Sequence, residues 1–545
     1  MNLNDLKQNW DLIVIGGGIT GAGILREAVR LGLNPLLLEQ NDFTWGTSSR
    51  SSKLVHGGLR YLEQGRLLLT RASVIEREHL LQDAPGLVEP LKFLVPVFYN
   101  QKPSRLAMGI GLGLYDLIAL KRSHKYYQKD AFSRLAPGIR RIGLLGGYSF
   151  YDAQVDDCRL VLRLLGEAVA AGGTALNYTR ASAILRDNSG NIAGVKIRDT
   201  ESGITRELTT RAVINATGVW ADRLHPSPKK NLHLRPLRGS HLVFPKTVLP
   251  LTCGISFNHV ADHRSVFAVP WENVVLVGTT DIDHDQNLSA EPAITVKEAA
   301  YLLEGIRFLF SFRRAISAQD CIATFAGIRP VLSRGKKPAS EESREHVVWK
   351  DRGLVTVTGG KLTTFRRLAW DALKAVRPFL PECSENRVRM PAFSLVPCAP
   401  IEDRGLSSGT WRRLFGRYGN GAVEMVRQAA PGDLKTIGDT AVLWAELPFL
   451  AKHEWVHHLS DLLLRRVRLG LLTPYGGRPY LKRIQTLCKP ALSWGPERWE
   501  AEIQSYLDLW QQVHKLPTGP YTATLKTTGA SYHVKKQYFS TALDK

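Results

Sequence analysis

The stretch Asp11-Leu12-Ile13-Val14-Ile15-Gly16-Gly17-Gly18-Ile19-Thr20-Gly21 stands near the start of the chain, and a second apolar run, Leu36-Leu37-Leu38, ends on Glu39. A short strand, a G-x-G-x-x-G turn, a helix, a second strand and a terminal acid form the dinucleotide fingerprint in its full order. Gly16 permits the tight turn, Gly18 lets the backbone approach a pyrophosphate, and Gly21 lets helix and strand pack closely. The phosphates are expected at the helix N-terminus near Ile19, where free N–H groups and the helix dipole favour anions. Glu39 is placed to accept hydrogen bonds from an adenosine ribose, a charge-assisted bond contributing about 1.5–3 kcal/mol. The fingerprint alone leaves NAD and FAD equally open.

The 545 residues give room for two or three domains, and 44% apolar with 22% charged residues is the make-up of a soluble globular protein. No apolar run reaches the roughly 18 residues of a membrane span. Only ten mostly polar residues precede the first strand, so a cytoplasmic protein without a signal peptide is expected. Cys158, Cys253, Cys321, Cys383, Cys398 and Cys488 show neither C-x-x-C nor metal-ligand spacing, which predicts reduced thiols and no metal site.

The formal charge of +22 and a pI near 9.8 call for an anionic partner: nucleic acid, an acidic membrane surface or an anionic substrate. The excess is clustered. Residues 101–145 hold nine Lys/Arg against two Asp, and 460–490 hold seven against one, which reads as a charged face. No zinc finger, RNA-binding motif or helix-turn-helix is evident, so a nucleic-acid partner is not expected.

Further along, residues 151–175 read as one long helix, and strands are expected at 181–186, 193–198 and 212–214, with several short ones over 240–281. A late strand, Leu354–Thr358, runs into Gly359-Gly360, with a helix expected from Thr363 onward. Prolines cluster at 378–400 and Leu/Arg/Trp-rich helical segments follow, so a domain boundary is placed at about 380.

The segment Thr47-Ser48-Ser49-Arg50-Ser51-Ser52-Lys53-Leu54-Val55-His56-Gly57-Gly58-Leu59-Arg60-Tyr61-Leu62 resembles the FAD-dependent (aerobic, respiratory) glycerol-3-phosphate dehydrogenase family. So do Val155–Leu160, Asn215-Ala216-Thr217-Gly218, Gly239-Ser240-His241, Gly278-Thr279-Thr280-Asp281, Gly327-Ile328-Arg329-Pro330 and Gly359–Thr364, in the family's order over about residues 8–375. His453-Glu454-Trp455 and Arg465-Arg466 resemble its C-terminal helical domain. The resemblance implies an α/β fold: a Rossmann-like FAD-binding domain, an antiparallel-sheet substrate domain like that of D-amino-acid oxidase, and a C-terminal α-helical domain. Residues 1–380 are then the oxidoreductase core. Its FAD-binding segments are about 8–95, 147–235 and 320–380, with substrate- or membrane-facing segments at about 96–146 and 236–319. Residues 381–545 form the helical domain with an irregular tail.

The second glycine turn, far from the first, favours FAD, which is long enough to need a support beside its ring. By resemblance, Thr47, Ser48, Ser49, Lys53, Leu54, His56, Gly218, Gly359, Gly360, Leu362 and Thr363 run along the cofactor, together with Gly16, Gly18, Gly21 and Glu39 from the fingerprint. The implied reaction oxidises sn-glycerol 3-phosphate to dihydroxyacetone phosphate by hydride transfer to FAD, with electrons passed to a membrane quinone. His241 is the implied proton acceptor. Arg60, Arg329 and Lys361, with the Tyr61 hydroxyl and Arg344, are the implied phosphate holders, since a dianion calls for permanent cations. Asp281 either orients a catalytic group or caps its turn. A related FAD oxidase using oxygen or acting on another small hydroxy or amino acid, and a flavin-fold binding protein without turnover, are the alternatives.

Two more stretches carry expectations. His453-Glu454-Trp455-Val456-His457 fits H-E-x-x-H, the zinc-protease helix, but no third-ligand continuation follows, so no metal is expected. Residues 106–120 are apolar, interrupted by Asp116 and followed by Lys121, Arg122, Lys125 and Lys129. That pattern suits a helix lying in the interface of an anionic membrane, peripherally on the inner face of the cell membrane; a buried core helix is the other reading. Homodimer formation stays open.

Overall fold

The computed structural model describes residues 3–63, 65–99, 101, 103–121, 123–225, 233–333, 346–382, 390–394, 404–519 and 521, the side chains of Asn4, Arg60 and Glu63 excepted. Its centre is a six-stranded sheet in the order Val347–Asp351, Leu354–Thr358, Val213–Asn215, Leu12–Ile15, Pro35–Leu38 and Thr174–Leu176. All neighbours are parallel except the first pair. A parallel sheet covered on both faces needs strands apolar on both faces, and these are. Leu12, Val14 and Leu37 pack with the helices Ile19–Arg30, Asp157–Ala170 and Phe365–Val376. Ile13, Ile15, Leu36 and Leu38 instead meet Ile192, Val195 and Ile197 of a three-stranded meander, Thr179–Arg186, Ile192–Asp199 and Thr205–Thr209. Each such fully buried leucine or isoleucine contributes about 1.5–3 kcal/mol.

The fingerprint turn is held by sterics. Gly16 sits at φ +115°, and a Cβ on Gly21 would lie 1.9 Å from the Gly16 carbonyl oxygen, so only glycine allows helix Ile19–Arg30 to start this close to the strand.

A second sheet of ten strands, eight along its main path and two pairing off it, is largely antiparallel. Within it, His233–Pro245 pairs with Val274–Gly278 on one side and Ala323–Ser333 on the other. Val88–Phe98 pairs with Leu144–Val155 from Val88↔Val155 to Phe98↔Leu144. The boundaries expected at 95/96 and 146/147 therefore fall inside strands of this second sheet. The long helix expected over 151–175 is also shorter: residues 151–155 finish a strand because the ladder with Val88–Phe98 claims their backbone. The helix starts at Asp157, capped by the Asp156 carboxylate, which accepts from Arg159 N at 3.3 Å.

Beyond these sheets the chain is helical: Ser408–Tyr418, Gly421–Gln428, Glu446–His453, Leu481–Leu492 and Pro496–Val513. Their apolar core, built on Leu414, Leu450, Trp499 and Tyr506, continues onto Trp271 and Phe325 of the second sheet. The basic stretch 460–490 is not simply a charged face. Arg465, Arg466 and Arg468 are buried and paired with carboxylates, so part of the apparent positive excess is neutralised inside. The H-E-x-x-H pentapeptide is not on one helix: the helix ends at His453, Glu454 bonds Arg159, and His457 bonds Glu201 at 2.6 Å. Residues 522–545 lie outside the described residues.

Candidate active site

A cleft of about 380 Å³ opens at the carboxyl ends of four adjacent parallel strands, lined by Ile15, Leu38, Ala216 and Thr358 and the turns that follow them. This is where open α/β sheets bind ligands. Glu39 and Gly359 follow strands three places apart, about 14 Å at about 4.8 Å per strand. The cleft is thus long in one direction. Gly16, Gly18, Glu39, Thr47, Ser48, Gly218, Gly359, Gly360 and Leu362 all line it, as does Lys361. Gly21, Ser49, Lys53, Leu54, His56 and Thr363 are not on its wall. Ser48 Oγ caps the helix by accepting from Ile19 N at 3.0 Å. Glu39 accepts from Gly17 N at 2.8 Å and Asn41 N at 3.0 Å, and burial pushes its carboxyl up to about 7 against those donors.

The strand pair His233–Pro245 and Ala323–Ser333 builds a second group of residues. Its register sets His241 opposite Phe325 and Leu237 opposite Arg329. The two-residue period of strands then turns His241, Phe325 and Arg329 to one face. The His241 ring lies flat on Phe325, centroids 4.5 Å apart, and its Nε2 meets Ser52 Oγ at 2.8 Å. His241 Nδ1 is buried with no hydrogen-bond partner among the described residues. Burial, then the nearby Arg329 and Lys53, lower its pKa well below the usual 6.5.

Arg329 is held in a fixed plane. It donates from Nη1 to Asp281 Oδ1 at 3.0 Å and from Nη2 to Thr279 Oγ1 at 2.8 Å. Asp281 also takes Arg264 Nη2 at 3.1 Å on its other oxygen. Asp281 thus bridges two guanidinium ions, one on each carboxylate oxygen.

A third group faces these residues across the Phe267 ring, which lies 5.8 Å from His56. Gly278 is the common strand partner of Phe267 and His241. His56 Nδ1 sits 3.3 Å from Asp152 Oδ2, and Asp152 also accepts from Gly57 N and Arg77 Nη1. Lys361 Nζ stands 3.2 Å above the Tyr61 ring and bonds Ser73 Oγ at 3.2 Å. Tyr61 thus meets Lys361 with its π face. Arg60 has its backbone in the helix Leu59–Glu63, but its side chain and all of Arg344 lie outside the described residues.

The side chain of Lys53, expected along the cofactor, points elsewhere. The Lys53 ammonium is fully buried away from the cleft, bonded to Asp157 Oδ1 and Oδ2 at 2.8 and 2.9 Å and to Ser49 O at 2.7 Å. Burial and the adjacent Arg468 push it down to about 8. Sequence reasoning gave no role to Ser52, Asp152, Ser73 or Arg264. Ser52 was findable inside the motif 47–62; Arg264 carries no local signal.

The FAD dependent oxidoreductase family (DAO) matches residues 11–366, and the C-terminal domain of alpha-glycerophosphate oxidase matches 374–499. Glycerol-3-phosphate dehydrogenase 2 of Mycobacterium bovis is 33% identical over 520 residues, 92% of this chain and 88% of the relative. The chain belongs to the FAD-dependent glycerol-3-phosphate dehydrogenase family. The aerobic glycerol-3-phosphate dehydrogenase of Staphylococcus aureus is 30% identical over 534 residues, 93% of this chain and 95% of the relative. In three dimensions the chain is similar to the Bacillus halodurans glycerol-3-phosphate dehydrogenase crystallised with FAD, with TM-score 0.71 and 27% identity over 92% of this chain and 95% of that one.

The residues present suit the family's cofactor. The cleft joins a carboxylate for a ribose, a helix N-terminus for a pyrophosphate and a glycine turn for a flat ring, in strand order. A ribose hydroxyl bonds ionised Glu39 more strongly than the neutral acid, and burial pushes that carboxyl up to about 7. FAD affinity is therefore expected to rise as pH climbs through about 7, and Glu39→Gln to remove that dependence and weaken FAD retention. Equilibrium titration of the apoprotein with FAD at several pH values checks this; an unchanged slope in Glu39→Gln sinks the assignment.

Proposed function

We propose that this chain oxidises sn-glycerol 3-phosphate at its secondary carbinol carbon to dihydroxyacetone phosphate and passes the electrons to a membrane quinone. The observation that carries the reading is that Arg329, aimed by Asp281, shares a sheet face with His241 in a chain with family similarity over nearly its full length. FAD, when bound, supplies the hydride acceptor. Arg329 binds the phosphate dianion, with Lys361 as a second cation. His241 takes the hydroxyl proton at Nδ1, the ring nitrogen left without a partner while Ser52 occupies Nε2. The C–H bond leaves as hydride, the O–H bond as a proton, and a ketone remains. Purified yellow protein should bleach on anaerobic addition of sn-glycerol 3-phosphate; an unbleached flavin overturns the reading.

Exposed apolar side chains beside cations favour a membrane-borne acceptor. The helix Arg105–Ala119 buries Leu112 and Tyr115 but exposes Leu106, Ile110, Leu114 and Leu117, with Leu120 just beyond at 90% exposure. Leu67 and Leu68, at the start of the neighbouring helix Leu67–Asp83, are exposed too. A row of exposed leucines beside the exposed Lys121, Lys125 and Lys129 suits a helix lying in an anionic membrane surface on the cytoplasmic side. No helix among the described residues is long and apolar enough to cross. Each engaged cation contributes about 1 kcal/mol. Binding to phosphatidylglycerol-containing vesicles should therefore fall at high salt, and binding indifferent to salt and lipid charge refutes the docking. The oxidase alternative predicts hydrogen peroxide formed in air in proportion to substrate consumed; reduction of a quinone analogue without peroxide excludes it.

A further inference from the structure

Arg465, Arg466 and Arg468 reach from the C-terminal domain into the core in two directions. Arg466 Nη1 and Nη2 grip Asp42 Oδ2 and Oδ1 at 2.6 and 2.8 Å, in the loop between Glu39 and Thr47 that walls the cleft. Arg468 turns towards the substrate side. It is 2% exposed and donates to Asp156 Oδ1 at 3.1 Å, to Asp157 Oδ1, and to the carbonyl oxygens of Ser49 and Leu464 at 3.1 and 2.9 Å.

Asp157 passes this grip on. Its Oδ2 accepts from Ser51 N at 2.9 Å and Ser51 Oγ at 2.7 Å, and both its oxygens accept from Lys53 Nζ. Lys53 holds a left-handed backbone, φ +60°, which a lysine adopts only where its surroundings impose it. Between these two clamped residues stands Ser52, whose Oγ meets His241 Nε2. Two acids and two bases buried together are a poor way to join domains, because apolar contacts hold at lower desolvation cost. A guanidinium fork spanning four acceptors does what apolar packing does not: it fixes several backbone groups in one orientation.

We propose that Arg468 is a positioning residue of the active site: through Asp157 it fixes the turn Ser51–Lys53, and through Ser52 the ring of His241, so that the C-terminal domain completes the site. The inference rests on His241 acting in the oxidation proposed above. A lysine at 468 keeps the charge but its single ammonium cannot span the four acceptors. In the full-length, FAD-loaded protein, Arg468→Lys is expected to lower kcat with sn-glycerol 3-phosphate about 10- to 100-fold with KM within about threefold, since small misplacements of reacting groups cost rate rather than binding. It should also shift the acid limb of the pH profile and speed hydrogen exchange at the Ser51 amide. Arg159→Lys, at the interdomain pair Arg159–Glu454 outside the site, serves as the comparison and should lower thermal stability with kcat within about twofold.

Wild-type kcat and pH profile in Arg468→Lys, or equal kcat losses in both variants, overturns the proposal. Should Arg468→Lys not fold, Ser51→Ala decides, because it leaves the domain interface whole and removes one hydroxyl from Asp157. A several-fold loss of kcat with faster exchange at residue 51 supports the clamp, and wild-type behaviour overturns it. If wild-type protein is not bleached by the substrate, the functional reading fails alone, and exchange at the Ser51 amide still tests the clamp.

Discussion

Arg329→Ala is expected to raise KM for sn-glycerol 3-phosphate by about two to three orders of magnitude while leaving turnover of unphosphorylated glycerol nearly unchanged. Removing one partner of a desolvated charge pair costs about 2–5 kcal/mol, and each 1.4 kcal/mol is about tenfold. The guanidinium is already oriented by Asp281 and Thr279, so little side-chain freedom is lost when phosphate arrives. Arg329→Lys is expected to recover only a part, because an ammonium lacks the planar fork. Steady-state kinetics with both substrates check this, and an equal effect on the two removes Arg329 from phosphate recognition.

His241→Asn should lower kcat by about 10²–10⁴-fold, the usual share of general base catalysis, with FAD content unchanged. The pH dependence has a definite sign. A proton acceptor must be neutral, and burial with Arg329 and Lys53 lowers the His241 pKa well below 6.5. In the free protein, kcat/KM should therefore hold down to pH values below 6.5 before falling. A bound phosphate dianion offsets the field of Arg329, so the acid limb of kcat should lie at higher pH than that of kcat/KM. Coincident limbs, or an acid limb that persists in His241→Asn, assign the titration to another group.

The nucleotide-binding turn was legible because every step of it is local: strand, glycine, helix, strand and acid follow within thirty or so residues, and each has one steric reason. His241 and Arg329 were legible as members of motifs, but their shared face was not, since it depends on a register between strands some eighty residues apart. Lys53 shows the limit most clearly. Its neighbours in sequence suggested a cofactor loop, whereas its true surroundings are Asp157 and Arg468, which no local pattern connects to it. The same holds for residues 460–490, read as a charged face and found partly buried. The helix expected from 151 began late because strand pairing outcompeted helical spacing over residues 151–155.

The walls of the 380 Å³ cleft come from stretches between Ile15 and Leu362 that are remote in sequence: the first turn, the loop 39–48, Arg180 to Ser182, Ala216 to Leu224 and the late turn at Gly359. A molecule lying there touches all of them at once and has no counterpart in the unfolded chain. By mass action it adds about 2.7 kcal/mol of stability at a hundredfold excess over its dissociation constant. The melting temperature of this protein is therefore expected to rise with the concentration of free FAD, so that its stability reports flavin supply as well as sequence.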